Sequence, residues 1–327
     1  MTRTEEIWKS LRSGTDGGPA PAGDGWQLVR IDPQHPFDIY AGIDGGGAAV
    51  FALSVSVRPP SITDGSEALT YFTMPRAGGR SLMGLRLGGA ALESVFGRLC
   101  QDLADAAAGV GTEAALVTLF RARLKLWKRL FRDGSQGLLK KHQIRELVAE
   151  LLALGDLVDA SPDQPLQPVT CWKVPGSAQD FVFPDRALEV ASVAPGADTV
   201  AIASVLQLDA PVPGPLTLRV CVLRDSALGD PGALTLPLLV SRTEQILDGV
   251  PGARAALCDR LLAAGYVEHE YYRSIAFVPL GTQDHAVRDG FPRLVRATLP
   301  AGIPDATYTI LLSSIEAFQI PEHLHAA

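Results

Sequence analysis

Apolar and polar positions follow three rhythms along the chain, and each predicts a different kind of element. The first dozen residues place Ile7, Trp8 and Leu11 on one side of a short amphipathic helix. A Gly- and Pro-rich stretch, 14–25, follows as a connection. From Trp26 to about Leu87 short strand-like runs (26–31, 37–43, 48–57 and 68–74) are divided by Gly, Pro and Asp, which predicts an antiparallel β-rich unit. Gly45, Gly46 and Gly47 lie between two of these strands. A phosphate loop would open a helix there, whereas here the chain continues as a strand, so they read as a turn.

Helical spacing takes over at 90–108, 113–132 and 138–154. In the second segment Leu116, Leu119, Phe120, Leu124, Leu126, Trp127, Leu130 and Phe131 gather on one side. Arg121, Lys125, Lys128, Arg129 and Arg132 fall within an arc of about 100° opposite them. Beyond a proline-marked loop at 162–168, apolar runs at 169–174, 180–183, 187–193, 199–208 and 216–223 predict strands. Helices are expected at 239–247 and 253–264, then strands around 272–278 and 307–312. This mixed order predicts an α/β (α+β) fold and excludes a helical bundle.

Composition narrows the class. With 327 residues, 47% apolar and 20% charged, the chain can bury a sizeable core in one or two domains and is not globally disordered. A net charge of −7 excludes a polycation that coats nucleic acid by bulk charge. Yet nine basic residues stand between Arg121 and Arg145 against one acid, Asp133. That segment reads as a phosphate-facing surface, a solvated helix face or a protein contact. Four cysteines without a CxxC pair exclude a zinc or disulfide framework. No secretory signal and no apolar run of ~18–20 residues is visible. The expectation is therefore a cytoplasmic protein with no membrane partner.

Chemistry concentrates at 177–193. Asp180-Phe-Val-Phe reads as a strand, Pro184-Asp185-Arg186 as turn chemistry, and Ala187-Leu-Glu-Val-Ala as a second strand. Pairing Phe183 with Ala187 sets Asp180 opposite about residue 190, with Glu189 as its near neighbour. Glu189 and Ala191 then share one face, while Leu188 and Val190 point to the core. Two acids held between buried strands are costly without a cation, and Mg²⁺, which takes carboxylate oxygens and keeps its waters, meets that cost. The alternative is a surface hairpin carrying two unrelated acids.

Asp180, a gap of eight residues, then Glu189-Val190-Ala191 resembles the PD-(D/E)XK nuclease signature, whose last position is normally lysine. More widely, the chain resembles a bacterial family of PD-(D/E)XK motif proteins, often encoded beside DNA methyltransferases and other defence genes. The resemblance runs through Gln143-Ile-Arg-Glu-Leu, Cys171-Trp-Lys-Val-Pro-Gly, Gln179-Asp-Phe-Val-Phe, Leu188-Glu-Val and Ala203-Ser-Val-Leu-Gln-Leu-Asp. It continues in Phe291-Pro-Arg-Leu and Leu299-Pro-Ala-Gly-Ile. It is best from about 138 to 210 and loosest at the N-terminus.

The resemblance implies a restriction-endonuclease-like core sheet flanked by helices at 111–240, after an N-terminal β-rich region at 1–110 and before a C-terminal α/β extension at 241–327. It implies Glu146 as the helix acid, Asp180 and Glu189 as metal ligands and Gln207 as an accessory polar residue. The implied cofactor is Mg²⁺, with Mn²⁺ as substitute. The activity is phosphodiester hydrolysis of DNA in a restriction or anti-phage system, with other defence proteins as partners and a homodimer compatible with it. The basic set Arg121, Lys125, Lys128, Arg129, Arg132, Lys140 and Lys141 would track the phosphate backbone.

Two positions depart from the family pattern. Arg145 stands where glycine is usual, and Ala191 occupies the lysine position, where a methyl group can neither donate a hydrogen bond nor offset phosphate charge. Cleavage by this chain is expected to be weak or absent. Three accounts are open: a degenerate site in a non-catalytic DNA-binding or assembly subunit, a migrated lysine, or a recent or deliberate replacement, which the intact acids favour. Only six lysines occur and none follows Lys173, so Lys173, Lys140 and Lys141 are the available migrants. No base-reading motif separates DNA from RNA as substrate.

Overall fold

The computed structural model describes residues 2–14, 25–62, 68–130, 138–173, 177–209 and 214–321, apart from the side chains of residue 91 and of residues 128–130. The chain divides into two compact units, Met1–Leu138 with Gly265–His269, and Leu139–Ala264 with Glu270–Ala327. Among the described residues, seven α-helices and three sheets form a mixed α/β protein with an N-terminal antiparallel region. No described helix is long and apolar enough to cross a membrane.

In the first unit, α1 (Arg3–Ser13) begins at a Thr2 capping box. It is followed by β1 (Gln27–Arg30), β2 (Ile39–Ile43), β3 (Ala49–Val55), β4 (Leu69–Pro75) and β5 (Ser81–Leu87). These strands form one antiparallel sheet in the order β1-β2-β3-β5-β4. Every residue of the central β3 is buried, as a strand covered on both faces requires. Trp8 is fully buried, donates its indole N–H to the Val50 carbonyl at 3.1 Å and stacks on Phe96 of α2 (Glu93–Ala107). In α3 (Glu113–Leu130), Leu116, Phe120, Leu124 and Trp127 form the buried stripe, while Arg121 and Lys125 are exposed. Arg132 lies outside the described residues, as do the side chains of Lys128 and Arg129.

The second unit opens with α4 (Lys141–Asp159), whose buried positions Ile144, Leu147, Val148, Leu151, Leu154 and Val158 recur at helical spacing. Then come α5 (Leu166–Cys171), β6 (Phe181–Val182), β7 (Ala187–Val193), β8 (Thr199–Ile202) and β9 (Leu216–Ser226). After β10 (Leu234–Thr235), α6 (Leu236–Ile246), α7 (Ala253–Ala263), β11 (Ala276–Val287) and β12 (Tyr308–Leu311) complete the unit. The main sheet has the order β10-β11-β9-β7-β6, with β7 and β9 parallel and the other neighbours antiparallel. α4 packs on β7 and β9. The opposite face, with Ala187, Val193, Leu216, Leu218 and Val220, is covered by Val200 and Ile202 of β8, Ile310 of β12 and Leu208.

Three local expectations change. The run 169–174 is not a strand: α5 extends to Cys171, and only Trp172 bridges to Phe181. The run 199–208 stops being a strand at Ile202, and a 3₁₀ turn, Val205–Leu208, follows a Ser204 cap. The 272–278 segment starts as a 3₁₀ turn, Glu270–Ser274, before β11.

Candidate functional site

The hairpin of β6 and β7 sets the geometry. Phe183 N–H donates to the Arg186 carbonyl at 2.8 Å, leaving Pro184 and Asp185 as a two-residue turn, with Pro184 in the position its fixed φ favours. Val182 therefore faces Ala187 and Phe181 faces Leu188, one residue away from the register expected from the sequence. Asp180 then stands directly across from Glu189. The turn is pinned by Gly214, where a Cβ would lie 1.9 Å from the Asp185 carbonyl oxygen, and by Ala187 N–H on the Pro215 carbonyl at 3.0 Å.

At Asp180 the regular ladder ends and the side chain takes over. Its Oδ2 accepts the Val190 N–H at 2.8 Å, which a backbone carbonyl would otherwise bind. Glu189, only 2% exposed, accepts a hydrogen bond from Gln207 Nε2 at 2.5 Å through Oε1, while its Oε2 is buried with no partner. The Gln207 amide is held the right way round: its Oε1 accepts Ala203 N–H at 2.6 Å and Ser204 N–H at 3.1 Å, leaving the NH₂ for Glu189. Gln179 fixes that 3₁₀ turn to the hairpin, donating to the Leu206 carbonyl at 2.8 Å.

α4 contributes two acids. Glu146 is exposed at the rim, and Glu150, one turn later, accepts the Trp172 indole N–H at 2.7 Å. Glu150 was not singled out from the sequence, although its i+4 spacing from Glu146 is the signal that would have found it. Burial pushes all four carboxyls up. Asp180 is raised to about 7, by desolvation and the Glu146 charge against the Val190 hydrogen bond. Glu189 lies well above the usual carboxylate range through burial and the charges of Asp180 and Glu150. Glu150 is raised likewise, by burial, Asp180 and Glu146, with the Trp172 bond opposing. Glu146 is raised by desolvation, with His142 pulling the other way. No lysine or arginine contributes to any of these shifts.

The structure thus brings Glu146, Asp180, Glu189 and Gln207 together and adds Glu150. Ala191 is half-buried on the Glu189 side of β7. Lys141 is bound to Asp225 at 2.7 Å, as is Arg145 at 2.6 Å, and Lys140 is exposed. Arg121 and Lys125 belong to the other unit. A cavity of about 790 Å³ opens at the turn end of the hairpin, by Phe183, Asp185 and Arg186, and beside Arg219, which donates to Asp284 and Asp156.

Among the described residues no three His, Cys, Asp or Glu side chains form a ready cage for a metal ion. The donor set nevertheless fits a hard divalent cation. It offers only carboxylate oxygens, one of them buried without a partner, and Mg²⁺ binds through one or two carboxylates while keeping its waters. Asp180 and Glu189 are the residues able to hold it.

A family model described as "Putative PD-(D/E)XK family member, (DUF4420)" matches residues 4–313. No curated protein and no solved structure matches the chain. The family match covers nearly the whole chain, the motif residues included, and the chain belongs to this DUF4420 family.

Proposed function

We propose that the second unit is a metal-dependent nuclease module that hydrolyses phosphodiester bonds in DNA as part of a bacterial restriction or anti-phage system. The observation that carries this reading is the convergence of Asp180, Glu189, Glu150 and Glu146 at one sheet edge, with no lysine or arginine among the described groups that shift them. Mg²⁺ or Mn²⁺, when bound, supplies charge stabilisation and an activated water. Asp180 and Glu189 hold the ion, Gln207 fixes the Glu189 carboxylate, and Glu146 at the rim faces the incoming strand. Within this unit the exposed Lys140 offers charge for the phosphate backbone.

Ala191 favours a second reading, a DNA-binding or assembly subunit that keeps the fold without cleaving. A191K separates the two. Under the nuclease reading it cleaves DNA with Mg²⁺ or Mn²⁺, and adding D180A abolishes the activity. Salt-dependent DNA binding that survives D180A and E189A, with no cleavage by A191K, establishes the second reading instead.

A further inference from the structure

Three chain segments lie side by side at Asp180. Phe181 pairs with Leu188 on one side and bridges to Trp172 on the other, and Lys173 N–H donates to the Asp180 carbonyl at 2.6 Å. Moved one residue along, the same register puts Lys173, Asp180 and Glu189 in one row on one face of the sheet. Directly opposed Cβ atoms in such a row are about 5 Å apart. Trp172, Phe181 and Leu188 make the next row, on the α4 side, where Trp172 meets Glu150.

Lys173 is half-buried, is the last lysine of the chain, and its ammonium has no partner among the described residues. The other available lysines are worse placed. Lys141 is bound to Asp225, and Lys140 lies six residues before Glu146, about 9 Å along the helix axis. We propose that Lys173 takes the part of the lysine missing at position 191, setting its ammonium beside the scissile phosphate from the far side of Asp180. The proposal rests on the nuclease reading and deepens it, because it makes the unaltered chain active.

In the hydrolysis a water oxygen forms the new bond to phosphorus as the bond to the leaving oxygen breaks. The proton given up by the water balances the one taken by the leaving oxygen. Lys173 exchanges no proton: it stays an ammonium and donates a hydrogen bond to a non-bridging phosphate oxygen, where negative charge grows in the transition state.

The test uses the full chain with Mn²⁺ and linear duplex DNA, as the unaltered protein, K173A, K173R, A191K and K173A/A191K. Mn²⁺ binding without DNA is followed by calorimetry. The unaltered chain should cleave, K173A should lose roughly 100-fold in rate, K173R should lose less, and A191K should rescue K173A. Mn²⁺ should bind about fivefold more tightly to K173A, because a like charge has left the row. A lysine with only a structural role would not move that affinity in this direction. If the unaltered chain is inert while A191K cleaves, or if K173A matches the unaltered chain in both assays, the proposal is overturned and the nuclease reading stands. If none of the five proteins cleaves or binds Mn²⁺, the nuclease reading falls and takes the proposal with it.

Discussion

Two groups of acids each include residues of α4, and they are completed in opposite ways. Towards the C-terminal end of α4, Asp284 of β11 is buried against Arg219 of β9 in a bidentate pair, 2.8 Å at both contacts. Asp156 of α4 closes on the same guanidinium at 2.9 Å. Towards the N-terminal end, Glu150, Asp180 and Glu189 are packed together with no arginine or lysine among the groups that shift them. The first group is self-sufficient, since its cation is part of the chain and each of the three guanidinium nitrogens donates to an acid. The second leaves a buried oxygen unpaired and carboxyls raised towards their neutral form, and the proposed metal ion or Lys173 would supply the charge it lacks. Net charge distinguishes a strut from a receptor here better than cavity size does, because the cavity lies beside the strut.

This contrast can be broken at either end. The largest effect is expected from R219M, which keeps much of the side-chain volume but takes the guanidinium away from Asp284 and Asp156. Urea denaturation should show a loss of about 3–5 kcal/mol. Next, Mg²⁺ or Mn²⁺ at 100 times its Kd should stabilise the unaltered protein by about 2.7 kcal/mol, seen as a rise in Tm. D180A and E189A should abolish that rise, whereas R219M should keep it.

A smaller effect with a distinctive sign is expected for D180N in chelator. Asp180, with Glu146, Glu150 and Glu189 acting on it, is raised to about 7, above its unfolded value near 3.9. The native state therefore holds its proton longer than the unfolded state does, and ionising the group costs stability as pH climbs from about 4 to about 7. D180N removes that cost. It should be more stable than the parent at pH 8 and no more stable at pH 4. The opposite trend would mean that a cation already compensates Asp180. The smallest effect belongs to W172F, which takes one hydrogen bond from Glu150 and should cost about 1 kcal/mol in the same denaturation assay.

Local patterns made much of this architecture legible. β7 has the limits expected from its apolar run, and four N-terminal strands fall on the expected runs, whereas β5, which inserts between β3 and β4, was not among them. The Asp180–Glu189 neighbourhood was also readable, because a hairpin brings together residues only nine apart. Its register was not, since it depended on whether Pro184 opens a two- or a three-residue turn. Glu150 was hidden in an amphipathic helix where an acid at i+4 reads as one more polar position. Arg219 and Asp284 are 65 residues apart and meet only through the β9–β11 pairing, which no local pattern encodes. Lys173 was one of three candidate lysines in the sequence, and only the folded chain, through its backbone bond to Asp180, separates it from the other two.

The carboxylate that carries the ladder at Val190 gives the sheet edge a built-in reporter. A backbone carbonyl accepts with constant strength, but Asp180 Oδ2 weakens as an acceptor when the group is protonated and turns elsewhere when it is engaged. The Val190 amide is thus wired to whatever occupies the acids. Its hydrogen-exchange rate and its nitrogen chemical shift give a single-residue readout of loading, free of turnover and of any added label.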